Sequence, residues 1–83
     1  MGKFEYTITD EIGIHARPAG MLVNKVKSLG VPVTIEKNGK KADAAKLFAI
    51  MSLAVKNGDT VTVTVDGDED SLRELEAFFK SNL

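Results

Sequence analysis

Val31-Pro32-Val33-Thr34-Ile35-Glu36-Lys37-Asn38-Gly39-Lys40-Lys41-Ala42-Asp43 is the stretch on which the fold turns. Val31, Val33 and Ile35 fall on every second residue, the period of a strand with one buried face. Asn38-Gly39 is the dipeptide that most favours a two-residue turn, so the chain is expected to return through Lys40–Asp43 as the second arm of a hairpin. On the N-terminal side, Gly30 is a helix stop. Before it Ala19, Leu22, Val23, Val26 and Leu29 recur at helical spacing, which predicts a helix over Ala16–Leu29. A loop over residues 10–14 precedes that helix. In front of the loop Phe4, Tyr6 and Ile8 alternate with Glu5, Thr7 and Thr9 as a first strand. On the C-terminal side a helix is expected over residues 44–56, ended by Asn57-Gly58. Val61, Val63 and Val65 then alternate with threonines as a further strand, closed by Asp66-Gly67. A final helix opens on Asp68, Glu69 and Asp70, which suit the positive end of its dipole, and carries Leu72, Leu75, Phe79 and Leu83 as its apolar stripe. The order β-α-β-β-α-β-α predicts an α+β sandwich with helices on one face of an antiparallel sheet.

With 83 residues, 43% of them hydrophobic, the chain is expected to form one domain over residues 1–83 around one modest core. It has no cysteine, so a disulfide framework, a thiolate metal site and a thiol nucleophile are all excluded. Eleven basic residues against twelve acidic ones give no general attraction to nucleic acid or to an anionic membrane, and partners must be recognised locally. No apolar run reaches the roughly 18–20 residues that cross a bilayer, and residues 1–10 lack the apolar core of a signal peptide. A cytoplasmic, monomeric protein is the expectation. Met1-Gly2 opens like a myristoylation motif, but Tyr6 stands where that motif needs Ser or Thr.

Titratable groups with a chemical use are few. His15 is the only histidine, which rules out a multi-histidine zinc site, and no Gly-rich loop of nucleotide-binding spacing exists, so neither metal nor cofactor is expected. Gly13-Ile14-His15-Ala16-Arg17-Pro18 lies between a strand and a helix. His15 therefore falls at or next to the helix N-cap, where unpaired main-chain N–H groups converge and anions are favoured. A phosphate held there meets the first-turn N–H groups from Ala16 onward, the positive end of the dipole and the fixed charge of Arg17. Pro18 lacks an N–H where none is needed and marks the helix start. Gly13 is expected to leave the approach loop uncrowded. A neutral imidazole is nucleophilic near pH 7 without a separate base, and the phosphoramidate it forms is labile enough to be passed on. The competing structural reading is that His15 only caps the helix and Arg17 is a solvated charge.

Gly-Ile-His-Ala-Arg-Pro-Ala after the first strand resembles the active-site signature of the HPr phosphocarrier family. The likeness extends through Asn38-Gly39-Lys40, Met51-Ser52-Leu53, Gly58 and Gly67 with its acidic run. It implies an HPr-like open-faced sandwich with strand order 1-4-2-3 and three helices on one face. It also implies that Enzyme I, charged by phosphoenolpyruvate, phosphorylates His15 on Nδ1, that Arg17 binds and releases the phosphate, and that IIA domains of sugar permeases receive it. Such a protein is a carrier rather than an enzyme.

The helix over residues 44–56 carries Leu47, Phe48, Ile50, Met51, Leu53 and Val55 nearly all round it, more than so small a domain can bury. At 100° per residue Ile50, Leu53 and Ala54 share one side and Phe48, Met51 and Val55 another, so one group is expected inside and the other exposed for docking. On the first helix Arg17, Gly20, Met21 and Asn24 oppose the buried stripe, and Gly20 either leaves room for a partner's backbone or is simply tolerated there. Ile12 extends the apolar patch, and Lys46 and Leu47 stand with Phe48 and Met51 in the expected partner surface. Lys46 occupies the place where many relatives of the family carry a serine phosphorylated by a regulatory kinase, so the resemblance does not support that control here. An HPr-like regulatory docking module, or a nitrogen-branch carrier, is the competing function. A small hydrolase is disfavoured, because no second acid or base accompanies His15 in its motif.

Overall fold

Seven elements follow one another in the computed structural model, which describes residues 2–83: β1 (Gly2–Thr7), α1 (Ala16–Leu29), β2 (Val33–Lys37), β3 (Lys40–Asp43), α2 (Leu47–Ser52), β4 (Thr60–Val65) and α3 (Glu69–Asn82). The Met1-Gly2 pair thus begins outside the described residues. The four strands form one sheet in the order β1-β4-β2-β3, every neighbouring pair antiparallel. Register follows from the hairpin outward. Lys37 pairs with Lys40 across the turn, with Asn38 at φ 51 and Gly39 at φ 84, the left-handed pair that a two-residue turn needs and that Asn-Gly supplies at least cost.

Alternation then divides the sheet into two faces. Phe4, Val63, Ile35 and Ala42 stand in one row across the four strands and face the core. Glu5, Thr62, Glu36 and Lys41 stand in the next row, on the open side. A one-residue slip in any strand would exchange the two sets, so burial of Val61, Val63, Val65, Val33 and Ile35 pins the register. The helices cover the apolar face. Ala19, Leu22, Val23 and Val26 of α1, Ile50 of α2, and Leu75 and Phe79 of α3 complete one cluster with the strands. Phe79 meets Phe4 and Tyr6 edge-on at 5.5 and 5.6 Å, which seats α3 against β1. Asp68 caps α3 by accepting the Ser71 N–H at 2.8 Å, and Lys25 pairs with Glu74 between α1 and α3 at 3.1 Å.

The helix expected over residues 44–56 is shorter than its composition implies. At its start the Ala44 N–H donates to the Val33 carbonyl and the Ala45 N–H to Asp43 Oδ1, so these two alanines form the turn leaving β3. At its end the Leu53 and Ala54 N–H groups reach only three residues back, to the Ile50 and Met51 carbonyls, and Ala54 adopts φ 53. The chain therefore leaves the helix before residue 55. Val55, grouped by 100° spacing with Phe48 and Met51, is buried instead, whereas Ala54, grouped with Ile50 and Leu53, is exposed. No helix among the described residues is long and apolar enough to cross a membrane.

Candidate functional site

His15 is the N-cap of α1, with extended backbone (φ −103, ψ −173), and its imidazole makes no capping hydrogen bond to the first turn. The ring is half-buried. It lines a shallow depression of about 280 Å³ with Asp10, Arg17, Pro18, Met21 and Asn82. The His15 carbonyl accepts the Ala19 N–H at 2.9 Å, the first bond of the helix. Ahead of it the N–H groups of Ala16 and Arg17 have no main-chain acceptor among the described residues. Arg17 is exposed and enters no ion pair among the described residues, so its guanidinium remains available to an anion at the helix end. The start of α1 thus brings together an imidazole that is not the cap, two open main-chain donors and a guanidinium, a set of groups that favours an anion.

The loop that delivers His15 is tied down from two sides. On one, the Leu83 carbonyl accepts the Thr9 and Asp10 N–H groups at 2.6 and 2.8 Å, bringing the end of α3 against the loop. On the other, Asn57 Nδ2 donates to the Thr9 and Asp10 carbonyls at 3.1 and 3.3 Å, and the Ile14 N–H donates to the Val55 carbonyl at 3.0 Å. Within the loop Asp10 Oδ1 accepts the Ile12 N–H at 2.9 Å, and Ile14 is buried in the core. Gly13 differs from its expected part. It is not a spacer in an open loop; at φ 84 it lies so close to the 55–56 backbone that a Cβ would sit 2.4 Å from the Val55 carbonyl oxygen. Only glycine fits both the angle and the gap.

Four large apolar side chains are exposed, Phe48 at 82%, Ile12 at 68%, Met21 at 41% and Met51 at 38%, and of these Met21 lines the depression. Asn24 and Lys46 are exposed as well, and Lys46 is the N-cap of α2 with no side-chain hydrogen bond to it. Leu47 differs from these, being turned partly into the core. Gly20 is half-buried, and an added Cβ would meet nothing within 4 Å, so this fold does not itself require a glycine there. Asp10, Pro18 and Asn82 join His15, Arg17 and Met21 in the depression although motif reading did not place them there. Asn82 lies 67 positions from His15, and only the docking of α3 brings it close.

An open-faced α+β sandwich offering one histidine at the amino end of its first helix is the architecture of a small phosphoryl carrier. A family model described as the PTS HPr component phosphorylation site matches residues 3–81. The phosphocarrier protein HPr of Mycoplasma capricolum is 35% identical over 69 residues, covering 83% of this chain and 78% of that one. Among solved structures, HPr-C-His from Thermoanaerobacter tengcongensis superposes with TM-score 0.91 at 31% identity, covering 99% of this chain and 94% of that one. An HPr dimer from the same organism superposes with TM-score 0.73 at 33% identity, covering 92% and 94%. The chain belongs to the HPr family, the phosphocarrier components of the phosphotransferase system, which carry a phosphoryl group and are not enzymes.

Proposed function

We propose that this chain accepts a phosphoryl group on His15 from phosphorylated Enzyme I and passes it to IIA domains of sugar permeases, acting in the cytoplasm as one monomeric domain over residues 1–83. The observation that carries the reading is the uncapped imidazole at the start of α1, next to the open N–H groups of Ala16 and Arg17. A lone pair on the ring nitrogen forms the new N–P bond as the donor's bond to phosphorus breaks. The transferred oxygens then lie where the first-turn donors, the helix dipole and Arg17 meet. Ile12, Met21, Phe48 and Met51 supply an apolar rim that two different partners can use in turn, and flexible methionines suit such repeated fitting.

Incubation with Enzyme I and phosphoenolpyruvate, read by intact mass, tests this directly. One acid-labile phosphate is expected on the unmodified chain and none on His15→Ala. A docking module that works without transfer would stay unphosphorylated under the same conditions. Presenting the phosphorylated protein to sugar-branch and nitrogen-branch recipients separately then distinguishes the two carriers.

A further inference from the structure

Lys37 interrupts a pattern. Val33, Ile35 and Lys37 point to the same face of β2, and the first two are core residues. The third is a lysine whose side chain is only 16% exposed. Its Nζ donates to the Ala54 carbonyl at 2.8 Å and the Leu53 carbonyl at 3.3 Å, and pairs with Asp59 Oδ2 at 3.0 Å. Those two carbonyls lie just past the last residue of α2, where the helix dipole is negative. Ala54 is also the residue held at φ 53, a conformation that disfavours any side chain. Asp59 in turn accepts the Lys56 N–H at 2.8 Å, so the same ammonium group braces the turn that holds the His15 loop.

α2 has six residues, carries Phe48 and Met51, and has no polar side-chain cap at its start. So short a helix has almost no stability of its own, and its placement depends on its packing and on what grips its ends. We infer that Lys37 is the positioning residue for the docking face: by gripping the carbonyls behind α2 it fixes the tilt at which Phe48 and Met51 are offered to partner proteins. This rests on the docking role of α2 proposed above. Lys37 is mostly buried and acts through the helix, not on the phosphoryl group.

The test is steady-state phosphoryl transfer from phosphorylated Enzyme I, with this chain as the varied substrate, alongside thermal unfolding. Lys37→Met is expected to raise KM roughly three- to tenfold while kcat stays within about twofold, because binding alone is impaired. Ala54→Gly relieves the backbone strain without restoring the grip. The double variant Lys37→Met/Ala54→Gly should therefore recover the melting temperature lost in Lys37→Met yet keep the raised KM, and it provides a folded background should the single variant be too unstable to assay. A KM that recovers together with the melting temperature would show that Lys37 only offsets strain, and would overturn the inference. So would an unchanged KM in Lys37→Met where Phe48→Ala raises it. An unchanged KM in Phe48→Ala would remove α2 from docking and overturn the inference together with the reading beneath it.

Discussion

Gly13 and His15 are two residues apart and do opposite things with their surroundings. Gly13 is packed against the 55–56 backbone with φ 84, and any Cβ must displace main chain rather than a flexible side chain. Gly13→Ala is expected to lower the unfolding free energy by about 2 kcal/mol or more, through strain and steric conflict together, as read by urea denaturation. His15, by contrast, keeps its ring free of the helix it caps. Arg17 is the charge beside it, exposed and without an ion pair among the described residues, so its removal should leave folding unaffected. A charge-assisted hydrogen bond to phosphate is worth about 1.5–3 kcal/mol, so Arg17→Ala should slow transfer roughly ten- to hundredfold at an unchanged melting temperature. An unaltered rate would take Arg17 out of the transfer step. The motif that names His15 and Arg17 is contiguous and could be read directly. Asp10 and Asn82 could not, because they join the depression through the hydrogen bonds of Leu83 and the docking of α3.

At the scale of elements, legibility followed how local each determinant is. The β2–β3 hairpin was readable because Asn38-Gly39 specifies its own turn, and the α3 start because Asp68, Glu69 and Asp70 suit the positive end of its dipole. The ends of α2 were not, since the chain there is set by distant groups: the Val33 carbonyl takes the Ala44 N–H, and Lys37 takes the carbonyls of Leu53 and Ala54. The one local trace was a lysine at the place in the β2 alternation where an apolar residue is expected. Two carboxylates at element ends make acid stability predictable. The Ser71 N–H holds Asp68 below its ordinary value of 3.8, and the Lys56 N–H followed by the Lys37 ammonium does the same for Asp59. Each therefore favours the folded state fully above 3.8, and that contribution is lost as pH falls through the lower folded values. Unfolding free energy should thus decline below about pH 4, and the decline should be shallower in the Asp59→Asn/Asp68→Asn double variant, as measured by urea titration across pH. An equal slope in the two proteins would assign the acid sensitivity to other carboxylates.

The whole molecule separates support from chemistry. One face of the sheet is committed to a core shared by all three helices, while the threonine-rich face stays open. The strand order itself came from the family resemblance rather than from periodicity, because alternation reveals which side of a strand is buried but not which strand lies beside it. Two ties from far along the chain, at Leu83 and at Asn57, hold the His15 loop against this scaffold. A phosphoryl group on His15 should consequently act locally and leave the sheet unmoved. The most direct measurement is a pair of two-dimensional ¹H–¹⁵N NMR spectra recorded before and after phosphorylation by Enzyme I. The amide signals of Ala16 and Arg17 are expected to move downfield as their N–H groups take up the phosphate oxygens, with β1–β4 amides nearly unchanged. Phosphorylation that leaves Ala16 and Arg17 in place and shifts another region would contradict this.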